Sequence, residues 1–369
     1  MKYLKPLFLK KIAFSAIFFI VLLILAEVIL SCLKIFPDNY YTNTPNTSHK
    51  FRENPSKIDG ISGTYEIAYD SLGSRSVSDY SKATHKIIAI GGSTTICAVL
   101  TQEKTWTALL DKKLGDSYWV GNFARSGNSS NHHVFQFQHI LDKPELKDTK
   151  IVLMLVGVND CRGYLISPDK YMHMPDIDVK KRAFKHIPNS ELPFLKRQTL
   201  FKLAKQAKQR IHFYSQPRRP IDYLETYERQ IKPITKLPDL TDGLNHYEHN
   251  LKKIIKEAQK RNISIIFIAQ PTLWQKNLSD KYQTLLAARS YYNKTPLYTG
   301  EALNEIMTIF NKRLINVCNK YNVPVIDLQL PKNETIYYDD MHFNESGAEV
   351  VAAKVHSFLK LNNHLETNE

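Results

Sequence analysis

The pattern of apolar and polar positions divides the chain into three parts. Residues 12–36 form an almost unbroken apolar stretch in which only Glu27 and Lys34 are charged. Residues 37–83 begin with a polar segment rich in Asn, Pro, Ser and Thr, which predicts a linker and a lead-in. From residue 84 to residue 369, short apolar runs alternate with segments of helical periodicity, and this alternation predicts a folded domain.

Five short apolar runs in this domain predict buried strands, at 86–92, 117–124, 150–157, 263–270 and 323–330. Apolar residues at helical spacing predict helices between and after them, at 103–115, 131–142, 246–260, 301–321 and 345–360. The alternation predicts a three-layer α/β/α fold with a flavodoxin-like, five-stranded parallel sheet and right-handed crossovers. Ligands of such folds bind beyond the carboxyl ends of the strands.

Two segments interrupt this alternation, at about 161–245 and 271–300. Both follow a predicted strand, so both leave the sheet at its C-terminal edge. We expect them to be insertions that line or cover the active face, and the sequence does not predict how they fold.

The apolar stretch at 12–36 is long enough to cross a bilayer core of about 30 Å. Four lysines precede it, whereas Lys34 near its end is the only Lys or Arg from there to position 49. The positive-inside rule therefore predicts a cytoplasmic N-terminus and a periplasmic or extracellular domain. An uncleaved signal anchor fits best. A cleavable signal peptide has a shorter apolar region and a small-residue cleavage site. Lipidation at Cys32 is a third alternative, because Leu30-Ser31-Cys32 loosely resembles a lipobox.

Composition narrows the class of protein further. The 369 residues are 43% hydrophobic and 23% charged, which excludes a disordered or collagen-like chain. Four cysteines without a CxxC spacing predict neither a disulfide framework nor a zinc site. Cys97 and Cys161 follow neighbouring predicted strands, and a disulfide between them is a hypothesis. The histidine pairs His132/His133 and His246/His249 are interpreted as surface or helix-face residues rather than metal ligands.

The net charge of +14 is concentrated in one insertion. Residues 180–219 contain 12 Lys or Arg and a single acidic residue, Glu191. This segment is either a solvated helix face or a contact with an anionic membrane surface or polymer. Nucleic acid is not an expected partner, because the domain is predicted to lie outside the cytoplasm.

Small polar clusters follow the predicted strands. They are Gly91-Gly92-Ser93, Ser126-Gly127-Asn128, Gly157-Val158-Asn159-Asp160 and, before the last helix, Asp339-Asp340-Met341-His342. Each cluster alone is weak evidence of a catalytic site, and the first is neither a P-loop nor a GxSxG elbow. Together they offer a serine, an imidazole to take its proton and a carboxylate to orient the imidazole.

The same clusters offer donors for a developing oxyanion: the backbone N–H groups of Ser93 and Gly127 and the side-chain amide of Asn159. Asp339 lies three residues before His342 and can orient it within one loop, and Asp340 is the alternative orienting carboxylate. Asp160 is interpreted as a brace for its own loop.

In these motifs the sequence resembles the SGNH (GDSL-type) hydrolase family over residues 84–361, apart from the insertions. The four family marks fall on Ser93, Gly127, Asn159 and His342. One departure is Gly92, where many members have Asp, and it bears on subfamily and substrate. The resemblance implies a serine nucleophile at Ser93, a general base and acid at His342 oriented by Asp339, an oxyanion hole from Ser93, Gly127 and Asn159, and no metal or cofactor.

The expected function is that of a membrane-anchored serine ester hydrolase. It would act through an acyl-serine intermediate on O-acyl groups of an envelope glycan or lipid. An O-acyltransferase with the same triad and a polysaccharide acceptor is one alternative. A catalytically inert glycan-binding module is the other.

Overall fold

The computed structural model describes residues 4–52, 58–215, 234–286 and 298–365. The chain forms two compact units, one from Met1–Asn39 and His186–Arg219 and the other from Tyr40–Lys185 and Pro220–Glu369. Parts of both expected insertions, at 216–233 and 287–297, lie outside the described residues.

The described strands are β1 (Thr47–Arg52), β2 (Thr64–Tyr69), β3 (His85–Gly91), β4 (Tyr118–Asn122), β5 (Ile151–Val156), β6 (Ser264–Ala269) and β7 (Val325–Asp327). The described helices are α1 (Leu4–Cys32), α2 (Ser93–Ile96), α3 (Trp106–Leu114), α4 (Ser130–Leu141), α5 (Val158–Ile166), α6 (Pro168–Met172), α7 (Asp176–Ala183), α8 (Phe194–Arg197), α9 (Thr199–Ser215), α10 (Thr241–Lys260), α11 (Asp280–Thr284), α12 (Gly300–Lys320) and α13 (Glu345–Leu361).

The central sheet of the larger unit is parallel and has the order β4-β3-β5-β6-β7. This confirms the predicted five-stranded parallel sheet, with the first and third predicted strands as neighbours. Val152 in the middle strand lies opposite Ile88 on one side and Ile265 on the other. All six residues of β5 are buried, so a continuous apolar run is needed there rather than an alternating one.

The helices form the outer layers of the fold. Helix α3 packs against α13, whereas α10 packs against both α4 and α12. Right-handed crossovers place these two groups on opposite faces of the sheet. Three of the helices begin at a side-chain cap: the oxygens of Thr105, Thr299 and Asn344 accept from the backbone N–H of Ala108, Ala302 and Gly347.

The segment expected to be a linker and lead-in contains a two-stranded antiparallel sheet, β1 and β2. Phe51 lies opposite Tyr65, and the two rings stack with centroids 5.1 Å apart. A strand of six residues carries little periodic signal by itself. Its stability comes from the cross-strand partner, and local sequence does not show that partner.

The smaller unit contains α1, α8 and α9. The stretch Phe8–Cys32 is long and apolar enough to cross a membrane, with a mean hydropathy of 2.9 and none of its most apolar window buried by other parts of the chain. An N-terminal signal sequence would meet the same criteria. Helices α1 and α9 contact each other within this unit.

A buried arginine ties the lead-in of the larger unit to the segment after α2. The Arg75 side chain is 1% exposed. Its Nη1 donates to the carbonyls of Ile96 (2.5 Å) and Cys97 (2.9 Å), and its Nη2 donates to that of Leu100 (2.6 Å). Its Nε donates to Gln102 Oε1 at 3.0 Å. Burial lowers the pKa of Arg75, but a guanidinium stays charged at neutral pH.

We expect Arg75→Met to lower the free energy of unfolding by about 3 kcal/mol or more, because several buried carbonyls lose their donor. Arg75→Lys should recover little of this, since an ammonium cannot reproduce the planar fork of donors. Thermal unfolding of the detergent-solubilised full chain measures the effect. Wild-type stability in the methionine variant would contradict the assigned role.

Candidate active site

Ser93 lies where strand β3 ends and the short helix α2 begins. The two glycines before it allow this turn to be tight. A Cβ built on Gly91 would lie 2.2 Å from Thr95 Oγ1, so a larger residue would push the turn apart. Ser93 is partly exposed while Thr94 and Thr95 are buried. Ser93 thus lies, partly exposed, at the C-terminal edge of the sheet.

His342 lies in the loop before α13, and Asp339 shapes that loop. Asp339 is fully buried, and its Oδ1 accepts from the backbone N–H groups of Met341 (2.9 Å) and His342 (2.7 Å). Its Oδ2 lies 2.5 Å from His342 Nδ1. The carboxylate therefore fixes both the loop and the imidazole within four residues of chain.

The other imidazole nitrogen reaches the serine. His342 Nε2 lies 2.7 Å from Ser93 Oγ, although 249 positions separate the two residues in the chain. The ring of Tyr338 stacks on the imidazole with an interplanar angle of 8° and centroids 5.4 Å apart. Asp339, His342 and Ser93 thus form one continuous chain of hydrogen bonds, with the imidazole held on its face as well as at both nitrogens.

The electrostatics favour a charged Asp339. Burial by itself raises the pKa of the Asp339 carboxyl, but the adjacent His342 and the hydrogen bonds outweigh it and hold this pKa below its usual value. Asp340, the alternative orienting residue, instead accepts from Trp274 Nε1 at 2.6 Å through its Oδ2. The structure therefore places Asp339, and not Asp340, against the imidazole.

Asn159 lies at the start of α5, directly after the turn that ends β5. Gly157 makes this turn with a φ of +120°, a conformation that side-chain-bearing residues rarely adopt. The Asn159 Nδ2 donates one proton to the carbonyl of Asn128 at 2.8 Å, which leaves its second proton for another acceptor. A Cβ built on Gly92 would lie 2.3 Å from that nitrogen, so glycine lets the amide approach the Ser93 turn.

Gly127 follows β4 and has a φ of +78° in the left-handed region. Neither its backbone N–H nor that of Ser93 donates to another residue in the described part of the chain. Both therefore remain available to an acceptor outside the chain. The guanidinium of Arg182 lies beside Gly127, 3.3 Å from the position of a Cβ built there.

Asp160 lies beneath these loops, fully buried. Its Oδ1 accepts from the Ser130 backbone N–H (3.0 Å), the Ser130 hydroxyl (2.5 Å) and the Tyr171 hydroxyl (2.8 Å). Because Ser130 begins α4 and Asp160 belongs to α5, this carboxylate joins the helices that follow the Gly127 and Asn159 loops. Burial raises its pKa to about 6, although these hydrogen bonds oppose the shift.

The remaining candidates lie outside this arrangement. Cys97 and Cys161 are both buried free thiols, so the hypothesised disulfide does not form in this structure. His132 was expected on the surface or on a helix face; it lies in α4, where it is buried and its Nδ1 accepts from the Ser129 N–H at 3.0 Å as part of the cap of that helix. His133 is also buried. Among the described residues, no group of three or more His, Cys, Asp or Glu side chains could hold a metal ion.

Sequence reasoning missed several residues that position this site. Thr94 Oγ1 donates to Gln270 Oε1 at 3.0 Å and so ties the Ser93 helix to the end of β6. Gln270 is the last residue of a predicted strand and directly follows the observed β6, and a polar residue at that end of the strand was a usable signal. The roles of Tyr338 and Trp274 have no such signal, because each depends on a contact made only in the folded chain.

A three-layer α/β/α fold with a Ser–His–Asp arrangement at the carboxyl edge of its sheet defines a class of serine hydrolases. The sequence profile of the GDSL-like lipase/acylhydrolase family matches residues 89–350. The chain therefore belongs to this family of ester hydrolases, also called SGNH hydrolases. Among curated proteins, no sequence matches this chain.

Several solved structures are similar to this chain at low sequence identity. A member of the lipolytic G-D-S-L family from Veillonella parvula is 12% identical, with a TM-score of 0.41 over 76% of this chain and 100% of the other. An acetylxylan esterase from Geobacillus stearothermophilus is 13% identical, with a TM-score of 0.40 over 76% and 95%. An α/β hydrolase from the metagenome of Lake Arreo, Spain, is 15% identical, with a TM-score of 0.41 over 79% and 100%.

The two neighbouring aspartates allow a matched test of the orienting carboxylate. We expect Asp339→Asn to lower kcat for a soluble ester by about 10³- to 10⁴-fold, because the imidazole loses its charged partner. Asp340→Asn should have a small effect, since the new amide still offers an oxygen to Trp274. Steady-state kinetics of the two variants measure the difference, and equal losses would contradict the assignment.

The raised pKa of Asp160 predicts a dependence of stability on pH. Between about pH 6 and pH 4 the folded chain binds a proton at this carboxyl that the unfolded chain does not bind. Stability from this group therefore rises as the pH falls through that window. We expect the unfolding temperature of wild type, relative to Asp160→Asn, to increase from pH 7 to pH 4; a constant difference would contradict the shift.

Proposed function

We propose that this chain is a membrane-anchored serine esterase in which Ser93, His342 and Asp339 form the catalytic triad. The observation that carries this proposal is the continuous chain of hydrogen bonds from Asp339 through His342 to the hydroxyl of Ser93. A serine so placed can lose its proton as it attacks a carbonyl carbon.

Ser93 Oγ attacks the ester carbonyl while His342 Nε2 takes the serine proton. The tetrahedral intermediate then expels the alcohol, which takes that proton from His342, and the acyl group remains on Ser93. Water attacks this acyl-serine with His342 again as the base, and the carboxylic acid leaves. Asp339 orients the imidazole and stabilises its charged form in both half-reactions.

The developing oxyanion needs donors in a fixed position. We assign them to the N–H groups of Ser93 and Gly127 and to the free amide proton of Asn159. Support comes from the two N–H groups that have no acceptor among the described residues, and from the bond that holds the Asn159 amide to the carbonyl of Asn128.

The anchor is the second part of the proposal. We assign α1 as an uncleaved signal anchor with its N-terminus in the cytoplasm and the hydrolase domain in the periplasm or outside the cell. The lysine bias and the length of the apolar stretch support it. Cleavage of a signal peptide would give a mature chain of lower mass, and lipidation at Cys32 would give one that carries a lipid. Measurement of the intact mass distinguishes both from the uncleaved anchor.

The substrate we propose is an O-acyl group on an envelope glycan or lipid. This choice of substrate follows from the proposed anchor and the family's ester chemistry. A transferase would share the first half-reaction, and a sugar hydroxyl would then replace water in the second.

A fluorophosphonate probe tests the activated serine, with the full chain in detergent, since α1 and α9 contact each other. We expect a covalent adduct at Ser93 that peptide mapping locates and that Ser93→Ala abolishes. A folded chain that takes no label would contradict the triad and favour a binding module. Adding an acetylated glycan and a free glycan acceptor then distinguishes an esterase from an acyltransferase. Release of free acid supports the esterase, and acyl transfer to the acceptor overturns it.

A further inference from the structure

A carboxylate lies in the outer part of the proposed membrane span. Glu27 is five residues before the end of α1 at Cys32, and at 1.5 Å per residue it lies about 7 Å from that end. A charged side chain at this depth is costly unless it has partners. The Glu27 carboxylate has them: its Oε1 accepts from the Ser31 hydroxyl at 2.8 Å and from the Thr199 backbone N–H at 2.6 Å.

The partners of Glu27 include the first turn of α9. The Oε2 of Glu27 accepts from the Leu200 N–H at 2.8 Å, and the hydroxyls of Ser31 and Thr199 lie 3.1 Å apart. The first N–H groups of a helix have no partner inside it, and they form its positive end. Glu27 therefore accepts hydrogen bonds from the first N–H groups of α9, and these N–H groups stabilise the charge of Glu27. These bonds hold the start of α9 at the depth of Glu27 on α1.

The segment around this start exposes large apolar side chains. The exposed fraction is 68% for Phe194, 69% for Leu195 and 44% for Phe201. Beyond residue 36, the described chain exposes only three other large hydrophobic residues, Val77, Ile234 and Leu361. Three of six thus fall within eight positions, beside the helix that carries Glu27.

Cations surround these apolar side chains. Lys196, Arg197, Lys205 and Lys208 are exposed. The Arg197 guanidinium lies 5.7 Å from the centroid of the Phe194 ring. Aromatic and basic side chains on one short amphipathic segment are typical of a helix in the headgroup region of a membrane.

We propose that residues 194–208, termed here the interfacial segment, form a second membrane contact on the outer leaflet of the bilayer that α1 spans. Phe194, Leu195 and Phe201 insert at the level of the upper acyl chains, and the basic side chains bind the phosphates of anionic lipids. Glu27 sets the depth of the segment. This inference rests on the anchor in the proposed function and not on the esterase chemistry.

Fluorescence quenching in vesicles tests the insertion. The full-length Phe194→Trp variant is reconstituted in vesicles of phosphatidylcholine mixed with phosphatidylglycerol. The lipids carry bromine, a quencher of tryptophan fluorescence, on the upper part of the acyl chain. The signal of the native tryptophans is subtracted. We expect the added emission to be quenched. Leu361→Trp is the matched control: Leu361 is 81% exposed at the end of α13 but lies outside the segment proposed to insert, so its emission should stay unquenched. An unquenched tryptophan at 194 overturns the proposal and indicates a protein partner or solvent.

Two further arms test the charges. Glu27→Leu removes the acceptor for α9 and should weaken quenching at position 194, whereas Glu27→Gln retains one acceptor oxygen and should weaken it less. Equal quenching in all three chains overturns the role of Glu27 in setting depth. Quenching that is unchanged in pure phosphatidylcholine, or in high salt, overturns the binding of anionic lipid.

The same vesicles separate this inference from the proposed function. Resistance of the chain to carbonate extraction measures the anchor, and fluorophosphonate labelling of Ser93 measures the esterase. An unquenched tryptophan at 194 in a labelled, carbonate-resistant chain overturns the interfacial segment alone. Extraction by carbonate overturns the anchor and, with it, the interfacial segment. Loss of the fluorophosphonate label at Ser93 overturns only the esterase.

Discussion

The parallel register of five strands is the constraint on which the rest of this structure depends. Each strand of the order β4-β3-β5-β6-β7 ends at the same edge of the sheet. Ser93, Gly127, Asn159 and Gln270 each follow a different strand, and their convergence needs no special contact between them. The apolar strands maintain this register because a slip by one residue would turn buried side chains toward the wrong layer.

Two buried carboxylates hold the candidate site within that frame, in different electrostatic states. The imidazole of His342 and the surrounding N–H groups keep the pKa of Asp339 low, which suits a residue that must stabilise a positive charge. Among the described residues, Asp160 has hydroxyls and one N–H as hydrogen-bond partners and no cation, so burial dominates and raises its pKa to about 6. Charge compensation therefore distinguishes the carboxylate proposed to orient His342 from the one that joins α4 and α5.

The distribution of basic residues bears on the proposed membrane anchor in two separate ways. The four lysines before the apolar stretch at 12–36 lie close to the proposed span and favour a cytoplasmic N-terminus. The cations around α9 lie far from the span in sequence, where charge has little effect on orientation. The fold nevertheless brings the start of α9 to Glu27 on α1. In the proposed topology, positive charge can thus lie next to the outer leaflet without opposing the orientation that the lysines favour.

The sequence by itself determined the fold class and predicted the residues of the candidate site, because apolar periodicity and the position of polar clusters after strands are local signals. It predicted every strand of the central sheet within a few residues, and it named Ser93, Gly127, Asn159, Asp339 and His342. Only the tertiary structure placed Asp339 rather than Asp340 against the imidazole, left Cys97 and Cys161 unbonded, paired β1 with β2 and brought Glu27 to α9. Each of these outcomes depends on a partner distant in sequence or on the direction of a side chain, and one-dimensional spacing carries neither.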